Sequence, residues 1–417
     1  MNGSIRYTKI KADFKVEELD ILKDFKIIRQ IGIGSYSTVY EAIHIKSERK
    51  VAIKKEERIF NNLVISKGVL REIRILKSLK HPNILRLLDV RATKDFFPDT
   101  IFLFLELADM DLKKVVKNTK RFLQMWQVKT LMYDILKGLK YMHSASVLHR
   151  DIKPGNLLII NNSRVVIGDF GLSRTLPNYK QLSSSIKGAM RIREEKKEAG
   201  EIGIKHKMSQ YVVTRWYRAP EIILSQADYG TGIDVWAAGC VFAELLARIK
   251  GNHKERIVLF PGTSCYPFSP DVSGLSNSKI PQKDQLNVII NILGKPNEED
   301  CSFIKDPKVL VSLRDMPEIT RKDLSKVYPY ASIESIDLLN KMLIFNPYHR
   351  ATVDQCLDHV FFADIRNKEL EVIAEKELEL PFEEEDLDQK RLEELLMEDI
   401  SYFENLRNSG KNLYSNK

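Results

Sequence analysis

"HRDIKPGNLLIINNSRVVIGDFG", residues 149–171, decides how the rest of the chain is read. Asp151, Lys153 and Asn156 fall in a short segment after a helical pattern, and Asp169 follows a strand pattern and precedes Phe170 and Gly171. Phosphoryl transfer needs these residue types: a carboxylate to orient a hydroxyl, a cation beside the transferred phosphate, and Asn and Asp oxygens for magnesium. Magnesium shares its hard oxygen ligands with substrate phosphates, so two side chains suffice. The acidic residue of the Asp-Phe-Gly run lies thirteen residues after Asn156, a combination that chance rarely produces.

Upstream, "IGIGSYSTV" (31–39) places Gly32 and Gly34 after a strand, where a backbone can approach phosphates closely. A lone GxG is weak evidence, and a dinucleotide fold fits poorly because the run leads into another strand rather than a helix. In "VAIK" (51–54) side chains alternate, so Ala52 and Lys54 share one face while Ile53 and Lys55 take the other. From this run alone a solvated lysine is the commoner outcome. The face shared with Ala52, small enough to lie under a flat ring, favours Lys54 over Lys55. Glu72, in the helical pattern "VLREIRILKSLKH" with apolar Val69, Leu70, Ile73, Leu76 and Leu79, is the candidate partner of Lys54.

The remaining patterns give the organisation. Strand-like runs cover 25–53 and "TIFLFLEL", and helical patterns dominate from Asp111 onward, including "GIDVWAAGCVFAELLARI". A small strand-rich unit joined to a larger helical one predicts a two-lobed α+β arrangement. Residues 175–207 are charged and Ser/Gly-rich with poor periodicity, and 251–283 are rich in Pro, Ser and Gly. Loops of that length are usually functional or disordered. "DQKRLEELLMEDISYFENL" near the C-terminus reads as an amphipathic helix.

Composition excludes several classes. Among 417 residues, 43% apolar and 29% charged, no apolar run reaches membrane-spanning length and the N-terminus lacks a signal-peptide pattern. Cys240, Cys265, Cys301 and Cys356 have no zinc spacing, which leaves a reducing compartment as the default. The net charge of +9 is uneven: 14 acidic against 3 basic residues from Glu369 to Asp399 leave −11 there and +20 on the rest. No nucleic-acid motif accompanies that basic body. A surface serving phosphate, acidic partners and the chain's own acidic tail is the simpler reading.

From roughly residue 25 to 362 the chain resembles a eukaryotic protein kinase, with its motifs in the family's order. The resemblance implies a two-lobed fold: an N-lobe over 25–108 and a C-lobe over 109–362 with insertions near 175–207 and 251–283. An N-terminal extension (1–24) and an acidic C-terminal extension (363–417) that packs back on the small lobe flank it. It also implies ATP and Mg2+. Residues Ile31, Gly32, Ile33, Gly34, Ser35, Tyr36, Ser37, Thr38 and Val39 would cover the nucleotide phosphates, and Ala52 would lie under the base. Lys54 would hold the α and β phosphates, paired with Glu72. Leu105 would be the gatekeeper, and Glu106 and Ala108 would present backbone groups to adenine, with Leu158 also at the nucleotide. Asp151 would be the catalytic base, Lys153 would support the γ phosphate, and Asn156 and Asp169 would bind magnesium. Lys153 in "DIKPGN" resembles serine/threonine rather than tyrosine kinases. Ser37 replaces the loop's third glycine, a departure of modest expected cost.

"SQYVVTRWYRAPE" (209–221) narrows the resemblance to the group holding MAP kinases and cyclin-dependent kinases, and Arg215 favours the MAP kinase side. Ser209 and Tyr211 align with that family's Thr-x-Tyr activation pair. Its phosphate pocket corresponds to Arg71, Arg150 and Arg174, which repel one another until a phosphate arrives, and its phosphotyrosine partners correspond to Arg215 and Arg218. Glu221 and Arg350 match a buried ion pair. The acidic docking patch, near 364–371, retains Glu369 and Glu371 but has Asn367 and Leu370 where aspartates are usual. The resemblance thus implies protein substrates with Ser/Thr-Pro sites, an upstream activating kinase, and a cytoplasmic location with the nucleus as a second compartment. It implies no direct nucleic-acid or membrane binding. The alternatives are a related cyclin-dependent-like or cilium-associated kinase, and a pseudokinase scaffold; the C-terminal extension argues against the former and the intact catalytic set against the latter.

Overall fold

A computed structural model describes residues 14–34, 36–93, 99–176, 215–224, 229–253, 255–265, 284–411 and 413–414. The expected activation residues Ser209 and Tyr211, with Ser35 and most of the two insertions, lie outside them.

A short helix, α1 (Val16–Ile21), leads into strands β1 (Phe25–Ile33), β2 (Ser37–His44) and β3 (Lys50–Glu57). Helix α2 (Leu63–Ser78) follows, then β4 (Leu87–Ala92) and β5 (Thr100–Glu106). The five strands form one antiparallel sheet in the order β1-β2-β3-β5-β4. Alternation sorts its side chains. On β3 and β5, Ala52, Ile101, Leu103 and Leu105 face the main core. Val51, Ile53, Phe102 and Phe104 join a second cluster with Phe14, Phe25, Tyr40 and Tyr414. Lys55 is buried on that second face, where it pairs with Glu18 of α1 at 2.9 Å. Helix α2 starts where the Asn62 side chain accepts the Val64 amide at 2.8 Å, which satisfies one of the open N–H groups of the first turn. Val69, Leu70, Ile73, Leu76 and Leu79 are all buried, as their spacing requires.

The larger lobe is built on α3 (Met125–Ser144), the strand pair β6 (Leu157–Ile160) and β7 (Arg164–Ile167), and α4 (Gly232–Ala247). Helix α4 is buried on every side, so its apolar residues show no single face. Arg350 clamps this lobe through a two-pronged ion pair with Glu221, at 2.6 and 2.9 Å, both side chains being buried.

The chain then returns to the small lobe. Helix α5 (Gln389–Asn408), capped by the Asp388 side chain on the Arg391 amide, packs against α2 and β4. Asp399 accepts Arg74 at 2.9 Å and also Lys77, and Arg407 and Tyr414 both reach the buried Asp89 of β4. All four cysteines are buried and none is in a disulfide. Among the described residues no helix is long and apolar enough to cross a membrane.

Candidate active site

The segment 149–156 hangs from α4. Asp234, in the first turn of that helix, accepts the backbone amides of His149 at 2.9 Å and Arg150 at 2.8 Å, and its carboxylate also meets His143 Nε2 at 2.9 Å. Burial alone would raise this carboxyl. The hydrogen bond and charge of His143, with the His149 contacts, outweigh burial and hold it below its ordinary value. Arg150 has φ of 68° and Asp169 φ of 63°, left-handed conformations that non-glycine residues seldom adopt. His149 ties the two turns together. Its Nε2 lies 3.0 Å from the Gly168 carbonyl, and its ring meets Phe170 edge-on at 5.1 Å.

Asp151 Oδ2 receives Lys153 Nζ at 2.6 Å and Asn156 Nδ2 at 2.9 Å. Asn156 Nδ2 is also shared with the Asp151 carbonyl at 3.0 Å. Its amide nitrogen is thus spent on Asp151, and the group it offers outward is the hard oxygen Oδ1, a donor suited to magnesium. Burial lifts the Asp151 carboxyl above its ordinary value, against the pull of Lys153. Among the described residues no group of three or more His, Cys, Asp or Glu is placed to hold a metal. One Asn with one Asp is the sparse set expected of magnesium shared with phosphates.

Lys54 Nζ reaches Glu72 Oε2 at 2.7 Å and Glu56 at 2.9 Å. Burial would depress the ammonium, but the charges of Glu72, Glu56 and Asp169 outweigh it and hold Lys54 well above its ordinary value. Burial pushes Glu72 upward, opposed by Lys54. Ala52 lies opposite Leu105 in the sheet. Val39, Ala108 and Leu158 are half-buried against the main apolar core, to which Ala52 and Leu105 also belong. The Glu106 amide is donated to the Arg86 carbonyl at 3.0 Å.

The glycine-containing turn runs from Ile31, Gly32 and Ile33 on β1 through Gly34 and Tyr36 to Ser37, Thr38 and Val39 on β2. The Gly34 amide donates to the Ser37 carbonyl at 2.7 Å, and a Cβ at Gly34 would stand 2.9 Å from Ser37 Oγ. The serine that replaces the third glycine therefore leans over the second one.

The five arginines split into two groups. Arg71 and Arg174 meet on Glu383 of the C-terminal extension. Arg150 Nη1 bonds the Tyr229 hydroxyl at 3.0 Å. These cations do oppose one another's charge, but a carboxylate of the same chain already lies between two of them. Arg215 donates to the Thr263 carbonyl at 2.8 Å, and both Arg215 and Arg218 lie near Cys265. Glu371, one of the two acidic residues left in the expected docking patch, is engaged within the fold. It is buried and bound by Arg366 at 2.7 and 3.0 Å, Lys140 at 3.2 Å and Tyr133 at 3.2 Å, so it is not a free acidic residue for docking.

Asp234 and Glu383 escaped the reading of the sequence. Asp234 had a visible signal, a carboxylate inside an otherwise apolar run, and buried carboxylates need partners. Glu383 had none, standing in a run of three glutamates.

The profile of the protein kinase domain family matches residues 25–362. Mitogen-activated protein kinase 2 of Arabidopsis thaliana is 38% identical over 340 residues, 81% of this chain and 77% of its own. Mitogen-activated protein kinase 7 of the same plant is 35% identical over 378 residues, 90% of this chain and 88% of its own. Mitogen-activated protein kinase 3 of Oryza sativa subsp. japonica is 38% identical over 344 residues, 81% and 78% of the two chains. With the two-lobed fold, this match over most of its length means that the chain belongs to the protein kinase family, as a serine/threonine kinase of the mitogen-activated type.

Proposed function

We propose that the chain transfers the γ-phosphate of ATP to serine or threonine followed by proline in protein substrates, and that phosphorylation of Ser209 and Tyr211 by an upstream kinase raises its rate. The observation that carries the reading is the Asp151 carboxylate, fixed by Lys153 at 2.6 Å and Asn156 at 2.9 Å on a loop anchored by Asp234. Asp151 orients the acceptor hydroxyl and takes its proton, and Lys153 balances the charge of the moving phosphoryl group. Lys54, oriented by Glu72, grips the α and β phosphates. Asn156 and Asp169 would hold Mg2+, which would supply neutralisation of phosphate charge. Ala52, Leu105, Val39 and Leu158 enclose the base, with backbone groups of Glu106 and Ala108 facing its edge.

Proline preference follows from the "TRWYRAPE" segment, which in related kinases leaves the amide of the residue after the acceptor without a partner. Proline has no such donor and avoids a desolvation cost of about 1–3 kcal/mol. A phosphate on Ser209 brings about −1.5 to −2 charge to Arg71, Arg150 and Arg174, and one on Tyr211 engages Arg215 and Arg218.

The test is a peptide-library assay with purified protein, ATP and Mg2+, comparing wild type with Lys54→Met, Asp151→Asn and Asp169→Asn. The expected result is proline enrichment after the acceptor, with rates lower by about 10²-fold or more in each variant. Full activity in Asp169→Asn with magnesium present would overturn the reading. For the loop, equal rates in wild type and Ser209→Ala/Tyr211→Phe, with both wild-type sites occupied by mass spectrometry, would remove the activation step.

A further inference from the structure

Glu383 closes the short turn Pro381–Glu383, more than 300 residues downstream of the helix it touches. Its carboxylate receives Arg71 through Nε and, at 3.1 Å, through Nη2. Arg174 Nη1 approaches the same group at 3.4 Å. The remaining Arg71 nitrogen, Nη1, donates to the Gly171 carbonyl. The Arg71 and Glu383 side chains are only 4% and 6% exposed, so this is a buried charge pair. Arg71 immediately precedes Glu72, the residue that holds Lys54. One guanidinium therefore joins three things: the tail carboxylate, the segment after Asp169, and the turn of α2 that carries Glu72.

We propose that Glu383 is a positioning residue for phosphoryl transfer, the chain's own carboxylate holding Arg71 so that α2 stays on the Asp169-Phe170-Gly171 segment and the Lys54–Glu72 contact is made. The inference rests on the roles given above to Lys54 and the arginine cluster. Its physical ground is the cost of a buried guanidinium whose carboxylate is removed: an unpaired buried charge is strongly unfavourable, so Arg71 must turn toward water and release Gly171. The cluster is not neutralised by Glu383. Two guanidiniums meet on the one carboxylate, a third, that of Arg150, lies within reach of its charge, and Arg150 keeps a buried Nε without a hydrogen-bond partner. Burial and the charge of Arg71 bring Arg174 down to about 10, against the pull of Glu383. A phosphate delivered by the loop thus meets a cluster already assembled around Glu383 and still in excess of positive charge. The rate without loop phosphate then depends on Glu383, and removing its charge makes the chain more dependent on that phosphate.

The experiment uses full-length protein treated with phosphatase, with loss of loop phosphate checked by mass spectrometry. Wild type, Glu383→Gln and Glu383→Ala are compared with Asp399→Asn, which cuts a second tie between the tail and α2 but does not touch the arginine cluster. Steady-state rates, thermal melting and amide exchange are measured for each. The expected result is a fall in kcat of about tenfold or more in both Glu383 variants, with KM for ATP and peptide within about twofold. Amide exchange rises across 63–78 and 168–175 in the Glu383 variants and not across 168–175 in Asp399→Asn. Two outcomes overturn the proposal: Glu383→Gln with wild-type kcat and exchange, or an equal kcat loss in Asp399→Asn. The exchange measurement reads the same contact without any turnover. Because loop phosphate is absent throughout, failure of Ser209 and Tyr211 phosphorylation to stimulate wild type is a separate result that sinks only the activation reading.

Discussion

Asp234 accepts the backbone N–H of Arg150 at 2.8 Å, and that bond pins a left-handed turn that the residue would otherwise avoid. Asp151, the proposed catalytic carboxylate, is the next residue along. Its position is therefore tied to a helix from a distant part of the chain, a strained turn being held by surrounding structure that over-determines it.

Asp234→Asn should lower kcat by about 10²-fold, because it replaces one acceptor oxygen with a donor facing a donor and shifts Asp151. It should also change acid stability. The carboxyl is held below its usual value of 3.8, so its contribution is present above that value and is lost as pH falls through the lower folded value. Urea unfolding at a series of acid pH values should show a flatter pH dependence in the variant than in wild type.

Burial holds Asp151 above its ordinary value, and as the proposed base it cannot accept the substrate proton once protonated. The rate should therefore fall on the acid side. Lys153 is the largest opposing influence on that carboxyl. In Lys153→Ala the acid limb of kcat/KM should move to higher pH, alongside a lower plateau. A profile between about pH 5 and pH 8 checks the direction; a limb displaced downward would contradict it.

Arg350→Met should destabilise the large lobe by about 3–5 kcal/mol, since it leaves Glu221 buried and unpaired. Removing both partners in Glu221→Gln/Arg350→Met should cost less than the two single changes summed. Chemical denaturation of the four proteins measures the coupling directly.

Tyr414→Phe should cost about 1–3 kcal/mol through loss of a 2.8 Å hydrogen bond to the fully buried Asp89. The unfolding midpoint should fall while kcat at low temperature stays close to wild type. A kcat loss as large as that of the Glu383 variants would mean that the sheet's outer cluster, not the arginine cluster, governs the rate.

The fold was legible where one period ran unbroken. The alternation in "VAIK" put Lys54 on the face of Glu72, and the 3.6-residue spacing of Val69, Leu70, Ile73 and Leu76 buried those side chains in α2. The short catalytic run was legible because its chemistry is local: Asp151, Lys153 and Asn156 bond one another within five residues. What escaped depends on distant contacts. Lys55, set aside in favour of Lys54 because it takes the other face, is buried against Glu18. Glu371, placed by the sequence only as a residue of the docking patch, is enclosed by α3 and Arg366. Glu383 gains its meaning only when a tail folds across the whole chain, and no spacing rule encodes a separation of 312 residues.

The tail has a further consequence, for the order in which the protein is made. Asp89 is fully buried, and its partners Arg407 and Tyr414 lie 318 and 325 residues downstream. The strands of the small lobe leave the ribosome first, with the Arg91 side chain, at 2.8 Å, and the Val90 amide, at 2.9 Å, to meet that carboxylate. At about 5–20 residues per second, roughly 16 to 65 s pass before Tyr414 is synthesised. Through that interval the outer face formed by Phe25, His44 and Phe104, on which Tyr414 packs, stands open to water. The first lobe translated is thus the last to be finished, and the nascent chain presents an apolar face that a chaperone can cover before its own tail does.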